Sequence, residues 1–130
     1  MCGVNMPSAN QRRQLGAFGE SAARAYLIRQ GYTLLAANWR CRAGELDLIA
    51  RTGDQVVFVE VRTRRCGSAG TPEESLTPQK RERLARLAWH YFASQGIEDP
   101  PPWRIDLIAI EVDHAGRIAR LEHLPYSIEE

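Results

Sequence analysis

Apolar residues along this chain switch between two periods. Leu15, Phe18, Ala22, Ala25 and Tyr26 recur at intervals of three and four, which gathers them on one face of a helix. Ser8 or Asn10 can cap that helix, and Gly31 stops it after about Arg29. Glu20 lies off the stripe beside Gly16 and Ala23, so only a close approach of this small-residue flank would bring its carboxylate to the rest of the fold. A second helix starts with Thr77 as its cap and Pro78 at its first position, and runs to about Gln95 before Gly96. Leu84, Leu87, Ala88, Tyr91 and Phe92 form its core stripe, with Lys80, Arg83, Arg86 and His90 as a basic flank.

Elsewhere the pattern suits strands. Thr33 to Trp39 is the first, and Cys41-Arg42-Ala43-Gly44 turns into Gly44 to Ala50, then Thr52-Gly53-Asp54-Gln55, then Val57 to Arg62. Gly-Asp between two β-rich runs favours a two-residue hairpin loop. Cys66 to Pro72 is a glycine-rich connection that matches no phosphate-cradling pattern. After Asp99-Pro100-Pro101-Pro102, the run Trp103 to Val112 suits a buried strand, and Asp113 to Gly116 turns into a last strand, Arg117 to Leu124. The order is αβββαββ. A strand, helix and parallel strand cross over right-handedly, so the expected class is an α/β domain with a mixed sheet, antiparallel in the hairpin and parallel across the second helix.

The hairpin loop fixes a register. With Thr52 opposite Gln55, Asp47 falls opposite Glu60 and Glu45 opposite Arg62. Side chains alternate faces, so Leu46, Leu48, Ala50, Val57, Val59 and Val61 are expected on one face, and Glu45, Asp47, Ile49, Phe58, Glu60 and Arg62 on the other. Two carboxylates about 5 Å apart repel by about 3 kcal/mol at an effective dielectric near 20. A divalent cation relieves that repulsion; so does Arg62, on the same face two residues from Glu60. Mg²⁺ suits such a pair because it is held by one or two carboxylates plus waters and substrate phosphates.

Composition allows one domain: 130 residues, 44% hydrophobic. Cys2, Cys41 and Cys66 show no zinc spacing and read as reduced thiols. The first twenty residues hold no export-like apolar run and no segment approaches a membrane span, so the expectation is a cytoplasmic protein. The net charge of +1 hides an asymmetry, +6 over residues 1–86 and −5 over residues 87–130. Arg40 and Arg42 precede the hairpin, while Arg62, Arg64 and Arg65 close it. Such a cluster can contact backbone phosphates without regard to sequence.

The ordered set Gly16, Gly19, Glu20, Gly31-Tyr32, Asn38, Arg40, Gly44-Glu45-Leu46-Asp47, Phe58 to Arg64, Thr77, Lys80 and Arg104-Ile105-Asp106 resembles the YraN family of bacterial proteins. These are relatives of Holliday-junction resolvases in the PD-(D/E)xK nuclease superfamily. The resemblance covers nearly the whole chain. It implies a restriction-endonuclease-like single domain over residues 1–130, the first eight flexible, and a Mg²⁺ or Mn²⁺ ion held by Asp47, Glu60 and the Val61 carbonyl, with Glu20 assisting. Arg62 occupies the superfamily's lysine position. An arginine stays charged and offers a fork suited to phosphate, whereas lysine can lose its proton; hydrolysis then rests on water activated by the ion.

Two readings follow. One is a metal-dependent endonuclease acting on DNA, branched or single-stranded DNA being the candidate substrates, with Asp47, Glu60, Glu20 and Arg62 catalytic and Arg40, Arg42, Arg64, Arg65 and Lys80 on the nucleic acid. The other is a non-catalytic nucleic-acid-binding protein that keeps the fold. The resolvase resemblance also implies a homodimer, since two strands cut symmetrically need two sites.

Overall fold

The structure, a computed structural model, describes residues 8–67 and 77–125. Its elements are α1 (Ala9–Arg29), β1 (Thr33–Cys41), β2 (Gly44–Thr52), β3 (Gln55–Arg65), α2 (Pro78–Ser94), β4 (Trp103–Val112) and β5 (Ile118–Pro125), the expected αβββαββ order. The flexibility expected of the N-terminus and most of the glycine-rich connection fall outside the described residues.

Local chemistry sets the helix ends. Ser8, not Asn10, caps α1: its Oγ accepts from Gln11 N–H (3.1 Å) while Gln11 Oε1 accepts from Ser8 N–H (2.8 Å), a reciprocal pair that satisfies two otherwise orphaned donors. Thr77 Oγ1 accepts from Lys80 N–H at 3.2 Å, with Pro78 opening α2.

The five strands form one sheet in the order β1-β2-β3-β4-β5. β1 with β2, β2 with β3, and β4 with β5 are antiparallel; β3 and β4 are parallel and joined through α2. The hairpin register is the one the loop predicts, from Thr52↔Gln55 to Leu48↔Val59. The result is a single α/β domain with a five-strand mixed sheet and two helices, compatible with a restriction-endonuclease-like fold. No helix among the described residues is long and apolar enough to cross a membrane.

Both sheet faces are covered. Under α2, Phe58 meets Tyr91, Phe92 and Trp103 edge-on, with ring centroids 5.8, 5.5 and 5.8 Å apart, an arrangement that adds about 0.5–1.5 kcal/mol per pair beyond burial. Under α1, Ala23 and Leu27 pack on Leu48, Ala50, Val57, Val59, Ile108 and Ile110. Two expectations need correction. Ile49 and Phe58 share a face as expected, buried in the α2 core, but Leu46 joins them there instead of lying with Leu48 on the α1 side. Of the stripe expected on α1, Leu15, Ala22 and Tyr26 do pack against this core, but the buried residues are Gly19, Ala23 and Leu27, while Phe18 is 42% exposed and Ala25 is exposed. The helix is rolled onto its small-residue flank, because that flank lets its backbone come closest to the sheet.

The α1 side also encloses a buried charge. Asp106, wholly buried, accepts from Arg104 Nε (2.9 Å) and Nη2 (3.1 Å), and His123 Nε2 lies 2.7 Å from its Oδ2. Tyr26 Oη is 3.1 Å from His123 Nδ1, and Arg104 also donates to Gln55 and to Tyr32 Oη. One carboxylate thereby ties α1, the turn after it, β3, β4 and β5 together.

Candidate functional site

The β2–β3 pairing stops at Leu48↔Val59, one step before the expected carboxylate pair. The next hydrogen-bonded pair in this register would be Leu46 with Val61. Instead Val61 N–H donates to Asp47 Oδ2 at 2.9 Å, so a side chain stands where a strand would otherwise accept. The N–H and C=O of one strand residue point the same way; the Val61 carbonyl therefore faces this opening too.

Asp47 enters the opening because alternation breaks on both strands at one level. On β2, Leu46 packs into the α2 core and Leu48 into the α1 core. On β1, Ala36 and Trp39 both pack against the α2 core, although three residues apart. Between them sits Asn38, flanked by the pairs Ala37↔Leu48 and Trp39↔Leu46 and so level with Asp47. Its φ is +53°, and it is the sole non-glycine residue at positive φ among the described residues. A left-handed non-glycine residue costs about 1–3 kcal/mol and tends to mark functional sites.

Glu60 reaches the same place from regular β3 and is 7% exposed. Its carboxylate lies close enough to that of Asp47 for its charge to be felt there. Burial, then the charge of Glu60, pushes the Asp47 carboxyl up to about 8, against the pull of the Val61 N–H. Glu20 arrives from α1. Gly19 beside it packs so tightly on β3 that a methyl group there would overlap Thr63 Oγ1 outright and sit 2.9 Å from Thr63 Cβ. Burial raises the Glu20 carboxyl, a hydrogen bond from Asn38 pulls it back, and Glu45 and Glu60 raise it further.

The cations are arranged around this acidic centre. Arg62 Nη2 is 2.7 Å from Glu60 Oε2, so the bland relief foreseen from sequence does operate. Its Nε, however, is buried with no hydrogen-bond partner among the described residues. Glu45, expected opposite Arg62, pairs instead with Arg40 across the β1–β2 turn (2.7 Å), because the strands have already parted. Lys80, in the first turn of α2, lies close enough for burial and the charge of Arg62 to push its ammonium down, with Glu60, Arg83 and Arg64 also felt. Arg42 and Arg65 are exposed at the same end of the sheet, in the β1–β2 turn and at the close of β3.

The donor set consists of oxygens: two neighbouring carboxylates, a nearby carbonyl and Glu20. Among the described residues no three His, Cys, Asp or Glu side chains form a group able to hold a metal by themselves. A hard cation of the Mg²⁺ type needs no such cage, since it keeps waters and takes substrate phosphates as ligands. Asp47 and Glu60 fit it.

With this geometry in view, relatives become informative. Residues 19–110 match the Uncharacterised protein family UPF0102. The chain belongs to this family. It is 46% identical over 120 residues to a UPF0102 protein of Roseiflexus castenholzii, covering 92% of this chain and 97% of that one. It is 49% identical over 119 residues to one of Chloroflexus aurantiacus (92% and 96%) and 49% identical over 106 residues to one of Symbiobacterium thermophilum (82% and 89%). This is the family to which the YraN resemblance pointed. The matched segment of this UPF0102 chain includes Gly19, Glu20, Asn38, Asp47, Glu60, Arg62 and Lys80. Sequence reasoning gave no role to Asn38 or to Gly19, and one signal was present: asparagine is the residue other than glycine that best tolerates positive φ.

Proposed function

We propose that this protein is a divalent-cation-dependent endonuclease acting on DNA phosphodiester bonds. The observation that carries the reading is the side chain of Asp47 standing in the β2–β3 opening, where it accepts from Val61 N–H at 2.9 Å and where burial and then the charge of Glu60 push its carboxyl up to about 8. Such a pair is unfavourable by itself and becomes favourable around a cation. Asp47 and Glu60 would hold Mg²⁺ or Mn²⁺, with the Val61 carbonyl beside them and Glu20 acting directly or through water. When bound, the ion supplies Lewis acidity for the scissile phosphate and for attacking water.

The remaining roles belong to this chain's own side chains. The unpartnered Arg62 Nε is a buried donor suited to a phosphate oxygen, and a guanidinium binds such an oxygen without surrendering its proton. Lys80, Arg64 and Arg65 extend positive charge along the same end of the sheet, and Arg40 and Arg42 add to it from the β1–β2 turn. Branched or single-stranded DNA and a homodimer remain part of the proposal through the resolvase resemblance.

One observation favours a second reading, a non-catalytic nucleic-acid-binding protein: Arg62 stands in the lysine position and is already paired with Glu60, leaving no general base on that strand. The two separate on labelled single-stranded, duplex and four-way-junction DNA incubated with Mg²⁺, Mn²⁺ or EDTA. The nuclease reading expects metal-dependent cutting that falls by about 100-fold or more in Glu60→Ala. Equal cutting by both proteins, or DNA binding with none, would favour the second.

A further inference from the structure

One face of α2 belongs neither to the core nor to the cation site. Arg86, Trp89, His90 and Ala93 stand at positions i, i+3, i+4 and i+7, so they share that face, and all four are exposed. Together they line an open hollow of about 260 Å³. That is less than the roughly 300–1,000 Å³ of pockets that enclose a small molecule, and suits one face of a flat ring. Trp89 supplies its aromatic surface. The ring is 43% exposed yet braced by T-shaped contacts with buried Trp103 and Phe92, centroids 5.9 and 6.4 Å away. Ala93, one turn on, is too small to fill the hollow. The helix around it is basic: residues 78–94 hold Lys80, Arg81, Arg83 and Arg86 against Glu82, a balance of +3. Lys80, Arg83, Arg86 and Trp89 are each three residues apart and form one row along the helix, about 13 Å long at 1.5 Å per residue. Because α2 joins the parallel strands β3 and β4, it runs from the end of β3 back to the start of β4. The row therefore begins at the end of the sheet where Arg62 and Arg64 lie and finishes over Trp103.

A basic row ending in an open aromatic face is the combination that holds a single strand, since cations track its phosphates and rings stack on its bases. Bases in a duplex already stack on one another, so only an unpaired base can take this place without the cost of unstacking. We infer that Trp89, flanked by Arg86 and His90, is a stacking platform for an unpaired base of single-stranded DNA whose phosphates follow Arg83 and Lys80 toward the cation site. The inference rests on the nucleic-acid reading and narrows its substrate to DNA with a single-stranded portion. A protein partner would also cover an exposed ring, but the positive balance of the helix favours phosphates. The competing account is that Trp89 only caps the aromatic core. That account explains its contacts with Phe92 and Trp103 but has no use for the neighbouring cations or for a hollow kept open by Ala93.

Trp89→Ala and Ala93→Leu separate the accounts. Binding of the full chain to a labelled oligothymidylate strand and to a duplex is measured by fluorescence anisotropy in EDTA, with the melting temperature as the second readout. Trp89→Ala should weaken single-strand binding about 5- to 150-fold, the range for one lost base–aromatic stack, and change duplex binding less than about twofold. Trp89→Phe should recover most of that loss. Ala93→Leu keeps the ring and the charges but fills the hollow. It should weaken single-strand binding at least about fivefold at an unchanged melting temperature, leucine being a good helix former. Arg86→Ala should lower the slope of log affinity against log salt by about 0.7, one single-strand phosphate contact. Single-strand binding by Ala93→Leu within about twofold of the wild type, well short of the loss of a stack, overturns the platform. So does Trp89→Ala weakening both DNAs equally. Unchanged binding by Trp89→Ala overturns it too and leaves the face to a protein partner, while metal-dependent cutting lost in Glu60→Ala would still uphold the nuclease reading. Selective loss in Trp89→Ala without any cutting by the wild type keeps the platform under the non-catalytic reading. A wild type that binds neither DNA would sink both.

Discussion

Asp106 and Asp47 are two aspartates drawn among the strands of one sheet, and their surroundings treat them in opposite ways. Burial alone would raise the Asp106 carboxyl, but hydrogen bonds from His123 and Arg104 outweigh it and leave that group below its ordinary range. Burial raises Asp47 as well, and there the neighbours are Glu60 and Glu20, so it rises further. The first charge is answered within the fold. The second is answered only by one backbone N–H and, through Glu60, by Arg62. A carboxylate whose partners all come from the chain holds the structure together; one crowded by its own kind is, on the reading proposed above, the one that an external cation would relieve.

Removing each group should move stability in opposite directions. Asp106→Ala leaves Arg104 and His123 without their buried acceptor and should destabilise the chain by about 3–5 kcal/mol in urea unfolding. A loss below 1 kcal/mol would mean that the network does not hold the strands together. Asp47→Asn keeps an acceptor for Val61 N–H and removes the repulsion. In EDTA at pH 8 it should be stabilising by about 1–3 kcal/mol, after allowing for solvent screening of this half-buried group.

The pH dependence follows with signs fixed. Between the ordinary value of 3.8 and about 8, native Asp47 carries a proton that the unfolded chain has lost, so stability falls as pH rises. For Asp106 the stabilisation is complete above its ordinary value and is lost as pH falls through the depressed one. In EDTA the optimum therefore sits at mildly acid pH, and saturating Mg²⁺ should shift it toward neutrality. A wild-type pH profile that Mg²⁺ leaves unchanged, or an Asp47→Asn variant no more stable than the wild type at pH 8, would contradict this. The smallest effect is expected at Lys80. Lys80→Ala should weaken DNA binding modestly and reduce the slope of log affinity against log salt by about 1; an unchanged slope would place Lys80 off the phosphate path.

What could be read from the sequence was what adjacent residues decide. The Gly53-Asp54 loop sets the hairpin register, Thr77-Pro78 starts α2, and Gly31 and Gly96 end the helices, all by local chemistry. On α1, Leu15, Ala22 and Tyr26 face the core as the stripe implies, but counting apolar residues also favours Phe18, whereas the closest contact is made by the bare backbone at Gly19. The parting of β2 from β3 was hidden for a different reason. Period-two reasoning assumes an unbroken pleat, and nothing at Asp47 itself announces that Leu46 and Leu48, on either side of it, pack into opposite cores. The Asp106 network was equally out of reach, since Tyr26, Arg104 and His123 come from three elements far apart in the chain. The carboxylates of the site were found because they share a hairpin, and Glu20 because of family resemblance.

The contact between Gly19 and Thr63 also limits how this protein can change over generations. Trimming Thr63 to alanine would remove its Oγ1 and Cγ2 but leave its Cβ, which a methyl at position 19 would still meet at 2.9 Å, too close for two carbons. No exchange at the partner position therefore makes room for a side chain at 19 short of a second glycine. A side chain at 19 therefore requires the helix and the sheet to move apart at that point.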